Sequence, residues 1–279
     1  MILDGKKARE SLSQRLEKRL ENLGFKPKLV IFQIGNDEQS SLYIEKKKQF
    51  AKKIGVEVEC NRLANDISTE EVISEIKKAN IDQSTQGIIV QLPVPKHLDT
   101  TDVIEAISPQ KDADGLTSHN LKLLWEGSSK AIVPATALGI FTLLDFYGID
   151  VSGKHVGVIG RSSLVGKPTA LLALKKNATV TVCHSKTKDL DSLLPTFDIL
   201  ISATGYPGLV TVKSVRKGQT VIDVGISVDY QNGERAVSGD VDFSVVQPIV
   251  ENISPVPGGV GPMTVYSLFE NLINLSEDS

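Results

Sequence analysis

KHVGVIGRSSLVGKPTALL (154–172) is the stretch on which the reading of the chain turns. An apolar strand pattern, HVGVIG (155–160), ends on Gly160. A small polar loop follows, and a second glycine, Gly166, precedes Lys167, Pro168 and an apolar helical pattern. Strand, tight loop and helix in that order leave the helix's first backbone N–H groups unpaired and aimed at whatever fills the loop. Glycine at the strand end allows a pyrophosphate to approach the backbone, and Pro168 in the first turn loses nothing, because its missing N–H would have no partner there. The spacing G-R-S-x-x-V-G departs from the G-x-G-x-x-G of dinucleotide sites, so an ordinary tight turn remains an alternative.

Outward from this stretch, further short apolar runs recur: LVIFQI (29–34), VEVEC (56–60) and GIIVQL (87–92) before it, ATVTVC (178–183), DILISA (198–203) and TVIDVG (220–225) after it. Longer helical patterns separate them, and strand–helix alternation implies parallel sheets. Residues 40–54 predict a helix with Leu42, Phe50, Ala51 and Ile54 available for a buried face. A second helix follows Pro134 and carries Ile140, Phe141, Leu143 and Leu144. The last, over 263–275, places Val265, Leu268, Phe269, Leu272 and Ile273 at helical spacing, a stripe that needs a partner and is expected to return to the first lobe. GIDVSGK (148–154) is the polar stretch before the second strand series, and the hinge is expected in or just before the helix after Pro134. The fold expected is α/β in two lobes: an N-terminal α/β catalytic domain (1–139 with 263–279) and a C-terminal Rossmann-like nucleotide domain (140–262).

The 279 residues are 41% hydrophobic and 23% charged, an ordinary globular composition. A net charge of -3 argues against a chain-wide nucleic-acid footprint, which needs clustered Lys and Arg. The two cysteines, Cys60 and Cys183, lie far apart in apolar runs, as in a reduced cytoplasmic protein. MILDGKKARE at the start carries charges where a leader peptide needs apolar residues, and no run of about 18 apolar residues occurs, so no membrane association is expected. His97, His119, His155 and His184 show no metal-ligand spacing, and no metal is expected.

After the second strand of the later series the chain reads Cys183-His184-Ser185-Lys186. No carboxylate stands there to hold the free 2′-hydroxyl of NAD, whereas Ser185, Lys186 and Arg161 can donate to a phosphate, which favours NADP. Solvated polar residues after a strand are the alternative. Tyr43 and Lys47, four apart, share one helix face, where an aromatic ring could stack on a planar ligand while the amine reaches its reactive edge. Lys46, Lys47 and Lys48 also fit a solvated charge run. QLPVP (91–95) leaves a buried strand at its carboxyl end, where open sheets form ligand crevices, so Gln91 could enter a site; a strand ending in a proline-rich turn is equally natural. KDADG (111–115) resembles part of a calcium loop but puts Leu121 where a bidentate Glu is required. Asp112 and Asp114 instead offer acceptors for a ligand's N–H groups, with Gly115 allowing close approach. SPVPGGVGPMT (254–264), too rich in Gly and Pro for helix or strand, is either a linker or a backbone clamp around a flat ring. GRSSLVG is no nucleophile elbow, because Leu164 stands where its second glycine belongs.

SSLYIEKKK, QLPVP, KDADGLTSHN, GVIGRSSLVGKPTALL, ATVTVCHSKT, DILISATGYPG, VIDVGI, GDVDF and SPVPGGVGPMT together, from about residue 40 to 271, resemble the bifunctional methylenetetrahydrofolate dehydrogenase/cyclohydrolase family in order and spacing. The resemblance implies oxidation of 5,10-methylenetetrahydrofolate by NADP, then hydrolysis of the methenyl product to 10-formyltetrahydrofolate. It implies that Tyr43 stacks on the folate, Lys47 is the central catalytic residue with Gln91 beside it, and Asp114 holds the pterin ring. Pro93, Pro257, Gly258 and Gly259 are then further substrate contacts. Arg161 and Ser185 match the contacts to the NADP 2′-phosphate, and Gly160, Ser162, Val165, Gly166, His184, Thr204, Gly205, Gly225 and Ile226 line the cofactor. It also implies a homodimer formed through the nucleotide domains. Two departures stand out. The family's P-C-T-P-x-G reads Pro134-Ala135-Thr136-Ala137-Leu138-Gly139 here, which is expected to loosen a loop, and Ser254 replaces a threonine while keeping the hydroxyl. Three rival readings are a short-chain dehydrogenase, whose Tyr-x-x-x-Lys follows its glycine loop whereas Tyr43 precedes Gly160, a monofunctional dehydrogenase, and a non-catalytic nucleotide sensor.

Overall fold

Strand and helix alternate from end to end in the computed structural model, which describes residues 1–231 and 234–277. The elements are α1 (Gly5–Leu23), β1 (Lys28–Ile34), α2 (Glu38–Ile54), β2 (Glu57–Leu63), α3 (Thr69–Ile81), β3 (Gly87–Val90), α4 (Thr100–Glu105), α5 (Ser118–Trp125), α6 (Ala135–Phe146), β4 (His155–Ile159) and α7 (Gly166–Lys175). They continue with β5 (Thr179–Cys183), α8 (Leu190–Leu193), β6 (Ile199–Ser202), β7 (Thr220–Asp223), β8 (Ser227–Gln231), β9 (Glu234–Ser238), α9 (Phe243–Val246), β10 (Asn252–Ile253) and α10 (Val260–Glu277). Two compact units result, Met1–Glu10 with Thr136–Thr264 and Ser11–Ala135 with Val265–Ser279. Among the described residues no helix is long and apolar enough to cross a membrane.

In the second of these units a parallel sheet runs β2-β1-β3. β1 is buried along almost its whole length, which is why it reads as a continuous apolar run rather than an alternating one. Val30, Phe32 and Ile34 pack with Val72 and Ile76 of α3. Phe50 of α2 meets Phe269 of α10 at 5.7 Å between ring centroids, and Asn271 Nδ2 donates to the carbonyls of Ala113 (3.0 Å) and Val133 (2.9 Å). The last helix thus returns to the first lobe. α2 buries Ser40, Ile44, Lys47, Phe50, Ala51 and Ile54, not Leu42, which is 40% exposed. At about 100° per residue, Leu42 falls on the far side of the helix from Ile44.

The other unit is a five-stranded parallel sheet in the order β10-β7-β6-β4-β5, with an antiparallel β8–β9 hairpin beside it. Ile159, Phe197, Leu200 and Val221 centre its core. Gly157 is side-chain-free because a Cβ there would enter the Phe197 ring. Two expectations are corrected here. Residues 260–264 of the Gly/Pro-rich stretch are already the first turn of α10, and residues 135–137 are the first turn of α6 rather than a loop that a missing proline loosens. Both follow from one fact: first-turn N–H groups have no helical partner, so proline is admissible there and its absence frees nothing the helix does not already hold.

Candidate active site

Asp37 caps α2 by accepting from the Ser40 N–H (2.7 Å), so the helix starts directly behind the carboxyl end of β1, the central strand. Three turns in, Lys47 occupies a core position of α2 although it is a lysine, and Lys46 and Lys48 on either side are not buried. The Lys47 Nζ donates to Gln91 Oε1 at 2.9 Å. Gln91 follows β3, held by its N–H on the Phe32 carbonyl (2.8 Å) and by Nε2 on the Leu92 carbonyl (2.8 Å). Pro93 comes next, across a cis bond. Burial pushes the Lys47 ammonium below the usual lysine range, with Asp114 and then Cys60 opposing it. Cys60 was not expected here; it faces the lysine from β2. Tyr43 lies one turn before Lys47, partly exposed, with the Lys46 Nζ 5.2 Å from its ring centroid.

KDADG runs beside β3, the Ile88 N–H donating to the Lys111 carbonyl (2.6 Å) and the Ala113 N–H to the Ile88 carbonyl (3.3 Å). Its two carboxylates do not form the expected acceptor pair. Asp112 is buried and saturated by the N–H groups of Gly115 (2.9 Å) and Thr117 (2.8 Å), the Thr117 hydroxyl (2.8 Å) and Asn120 Nδ2 (3.0 Å). It anchors the turn. Asp114 takes no part in that anchor, its carboxyl pushed up by burial, pulled down by Lys47 and raised again by Asp112. Gly115 is needed: its φ is +70° and a Cβ would strike the Ile132 carbonyl.

In the other unit the register aligns four strand ends: Ile159 pairs with Cys183 and with Ser202, and Ser202 with Asp223. Gly160, His184, Thr204 and Gly225 follow these ends in one row. β4 connects forward to β5 on one side and is flanked by β6 on the other, so the row straddles the point where strand order reverses, the usual ligand crevice of an open α/β sheet. Gly160 has φ +117°, and a Cβ on Gly166 would collide with the Gly160 carbonyl, so the loop between them is a bare-backbone cradle at the start of α7. Ser162 Oγ accepts from the Val165 (3.2 Å) and Gly166 (3.4 Å) N–H groups, shaping that loop. Arg161, Ser185 and Lys186 are exposed, and the Gly160 N–H on the Cys183 carbonyl (2.9 Å) joins their two turns. His184 Nδ1 accepts from the Lys186 N–H (3.1 Å). Ile226 is 42% exposed, and Ser227 Oγ donates to the Gly205 carbonyl (2.9 Å). A bare cradle with donors on one rim and no carboxylate beside them fits a phosphorylated dinucleotide.

Pro257, Gly258 and Gly259 form the turn between β10 and α10, in this same unit. The Gly258 carbonyl accepts from the Gly5 N–H (2.9 Å), and a Cβ on Gly5 would overlap the Gly259 carbonyl. Ser254 uses the hydroxyl it keeps, accepting from the Asp223 N–H at 2.8 Å.

Residues 3–114 match the model of the tetrahydrofolate dehydrogenase/cyclohydrolase catalytic domain, and residues 134–279 that of the same family's NAD(P)-binding domain. The chain belongs to the tetrahydrofolate dehydrogenase/cyclohydrolase family. The bifunctional protein FolD of Acholeplasma laidlawii is 46% identical over 275 residues, covering 99% of this chain and 98% of its own. That of Lactobacillus gasseri is 43% identical over 278 residues, covering 99% and 97%. Among solved structures, the bifunctional FolD methylenetetrahydrofolate dehydrogenase/cyclohydrolase of Campylobacter jejuni superposes with a TM-score of 0.95 at 35% identity, covering 100% of this chain and 99% of its own. The Trypanosoma brucei N5,N10-methylenetetrahydrofolate dehydrogenase-cyclohydrolase, complexed with NADP and an inhibitor, gives 0.95 at 32% identity, covering 100% and 97%. As a tetrahydrofolate dehydrogenase/cyclohydrolase, the chain therefore has a dinucleotide unit and a catalytic unit, and Lys47 and Gln91 fall within the catalytic match.

Proposed function

We propose that the protein oxidises 5,10-methylenetetrahydrofolate to the 5,10-methenyl form with NADP and hydrolyses that product to 10-formyltetrahydrofolate. The observation that supports this most is the enclosed Lys47 amine, 2.9 Å from Gln91 and electrostatically coupled to Asp114. Loss of hydride from the bridging carbon, with the five-membered ring closed, leaves an amidinium cation spread over both nitrogens, so its carbon is already electrophilic and its hydrolysis requires an activated water but no metal. Bound NADP supplies the hydride acceptor. Lys47, with its ammonium disfavoured by burial, is the proton acceptor, a role worth roughly 10²–10⁴-fold. Gln91 orients it without adding charge. Asp114 accepts from the pterin's N–H groups, and Tyr43 stacks on the ring system, with Pro93 beside Gln91 as a further contact. In the dinucleotide unit Arg161 and Ser185 hold the 2′-phosphate, Gly160, Ser162, Val165 and Gly166 the pyrophosphate turn, and His184, Thr204, Gly205, Gly225 and Ile226 the remainder. Pro257, Gly258 and Gly259 are substrate contacts. The protein works in the cytoplasm as a homodimer associated through its dinucleotide units.

Two measurements test the reading. Lys47→Met is expected to abolish hydrolysis of methenyltetrahydrofolate above the solution rate, and undiminished hydrolysis would refute the role of the amine. Steady-state oxidation of methylenetetrahydrofolate is expected to prefer NADP over NAD by about tenfold or more in kcat/KM, as befits charge-assisted contacts. Equal use of both would sink the 2′-phosphate assignment, and reduction with the methenyl product accumulating would select a monofunctional dehydrogenase.

A further inference from the structure

Two buried acids of the dinucleotide unit have no part in the chemistry just described. Asp223 ends β7 and is 3% exposed; Asp240, at the return of the β8–β9 hairpin, is 0% exposed. Asp240 Oδ2 accepts from the Ser202 hydroxyl (2.7 Å), the Thr204 N–H (2.7 Å) and the Thr204 hydroxyl (2.9 Å). Asp223 accepts from the N–H groups of Gly225 (3.0 Å), Asp240 (3.0 Å) and Val241 (3.0 Å). A Cβ on Gly225 would strike the Asp240 carboxylate, and one on Gly239 the Asp223 carboxylate, so both glycines leave room for these acids. Interior carboxylates are costly unless neutralised or paired. The partners here are hydroxyls and amides from β6 (Ser202, Thr204), the exit of β7 (Gly225) and the hairpin return (Asp240, Val241), while Ser254 after β10 takes the Asp223 N–H. The charged group facing Asp223 is Asp240. The Asp240 Oδ1 is buried with no hydrogen-bond partner.

We propose that Asp240, together with Asp223, is a positioning residue for dinucleotide binding: the pair holds the Thr204–Gly205 and Gly225–Ile226 turns in place from behind. This rests on the assignment of those turns to NADP. Thr204 and Gly225 each give their N–H to one member of the pair, and the pair is itself joined through the Asp240 N–H. The turns therefore move as one body only while the two carboxyl groups tolerate each other. Burial, against the pull of the Val241 and Asp240 amide donors and with a smaller contribution from the Asp240 charge, pushes Asp223 up to about 7. Below that pH Asp223 is neutral; above it a charge appears on Asp223 in a dry pocket beside the Asp240 carboxyl group, which works against the spacing of the turns.

The test measures NADP affinity calorimetrically on the full-length protein from about pH 7 to about pH 9, beyond the second ionisation of a phosphate near 6, with NAD as a parallel probe that lacks the 2′-phosphate. Wild-type affinity is expected to weaken about threefold or more over this range for both dinucleotides. Asp240→Asn keeps an oxygen for the three donors and replaces the unpartnered Oδ1 by an amide nitrogen, so its affinity should fall less with pH than that of the wild type. Asp240→Ala should bind about tenfold more weakly throughout, equivalent to about 1.4 kcal/mol. Hydrolysis of methenyltetrahydrofolate without dinucleotide should stay within about twofold of wild type in both variants. The proposal fails if Asp240→Asn weakens with pH as wild type does, if Asp240→Ala binds NADP normally, or if both variants lose hydrolysis in proportion to binding. Should Asp240→Ala not fold, the pH series on Asp240→Asn decides alone. Hydrogen exchange on wild type separates the two levels: absence of NADP protection in peptides 203–208 and 224–228 overturns the turn assignment, whereas protection there with unaltered Asp240 variants overturns only the positioning role.

Discussion

Gln91 does more for Lys47 than hold it. Its Oε1 takes one ammonium hydrogen at 2.9 Å without bringing a charge, so burial outweighs the opposing carboxylate and the amine ionises below the usual lysine value. A base must be neutral to accept a proton; hydrolysis should therefore rise with pH and level off below the ordinary lysine pKa of about 10.4. Gln91→Glu would set a carboxylate against the ammonium and favour the charged form. The rising limb should move to higher pH, and the rate at neutral pH should fall by about tenfold for each unit of that movement. A pH–rate profile of methenyltetrahydrofolate hydrolysis, corrected for the solution reaction, shows the displacement. An unmoved limb in Gln91→Glu would mean that Lys47 is not the group being titrated.

Three helices begin in the same register. Pro168 is the third residue of α7 and Pro262 the third of α10; Ala137 is the third of α6, where the family's motif carries proline. At that position the N–H has no helical acceptor, so Ala137→Pro removes no bond and restricts the unfolded chain. The variant should be more stable by about 0.4–1 kcal/mol in thermal or denaturant unfolding. A loss of stability would show that the site around Ala137, which is 0% exposed, has no room for the ring. Elements of this kind also mark the limit of sequence reading. Seven of the eight strands of the two parallel sheets stood out: β1, β3, β4, β6 and β7, buried almost throughout, as unbroken apolar runs, and the less buried β2 and β5 through the alternating valines of VEVEC and ATVTVC. α1 did not, since its buried residues Ala8, Ser13 and Leu16 form too thin a stripe among charges, and the β8–β9 hairpin offered no apolar run at all. In the site, the shared face of Tyr43 and Lys47 followed from helix spacing, whereas the different fates of Asp112 and Asp114 did not. KDADG presents two equivalent carboxylates, and only the turn at Thr117 and Asn120 tells them apart. Asp223 and Asp240 were illegible for the same reason: their partnership is made by the fold.

Neither compact unit is a continuous piece of chain. Met1–Glu10 belongs with Thr136–Thr264, although Ser11–Ala135 lies between them in sequence. The bonds explain it. The Leu3 N–H donates to the Ile253 carbonyl (2.8 Å), the Ile253 N–H to the Met1 carbonyl (3.0 Å) and the Asp4 N–H to the Tyr147 hydroxyl (2.9 Å), so the first residues extend the five-stranded sheet beyond β10. Leu3 is 0% exposed, and Leu3→Ala should cost about 2–5 kcal/mol, the range for truncating a buried leucine. The cost should fall on the unit that holds Leu3, not on the unit that follows it in sequence. Hydrogen exchange resolves this, because local stabilities differ across a chain of this size. Amides of β10 and β7 should exchange faster in Leu3→Ala, with those of β1, β2 and β3 unaltered. NADP at about a hundred times its Kd should then restore about 2.7 kcal/mol to the same amides, since a ligand stabilises only the body that binds it. Faster exchange spread equally over β1 to β3 would mean that the two units unfold together.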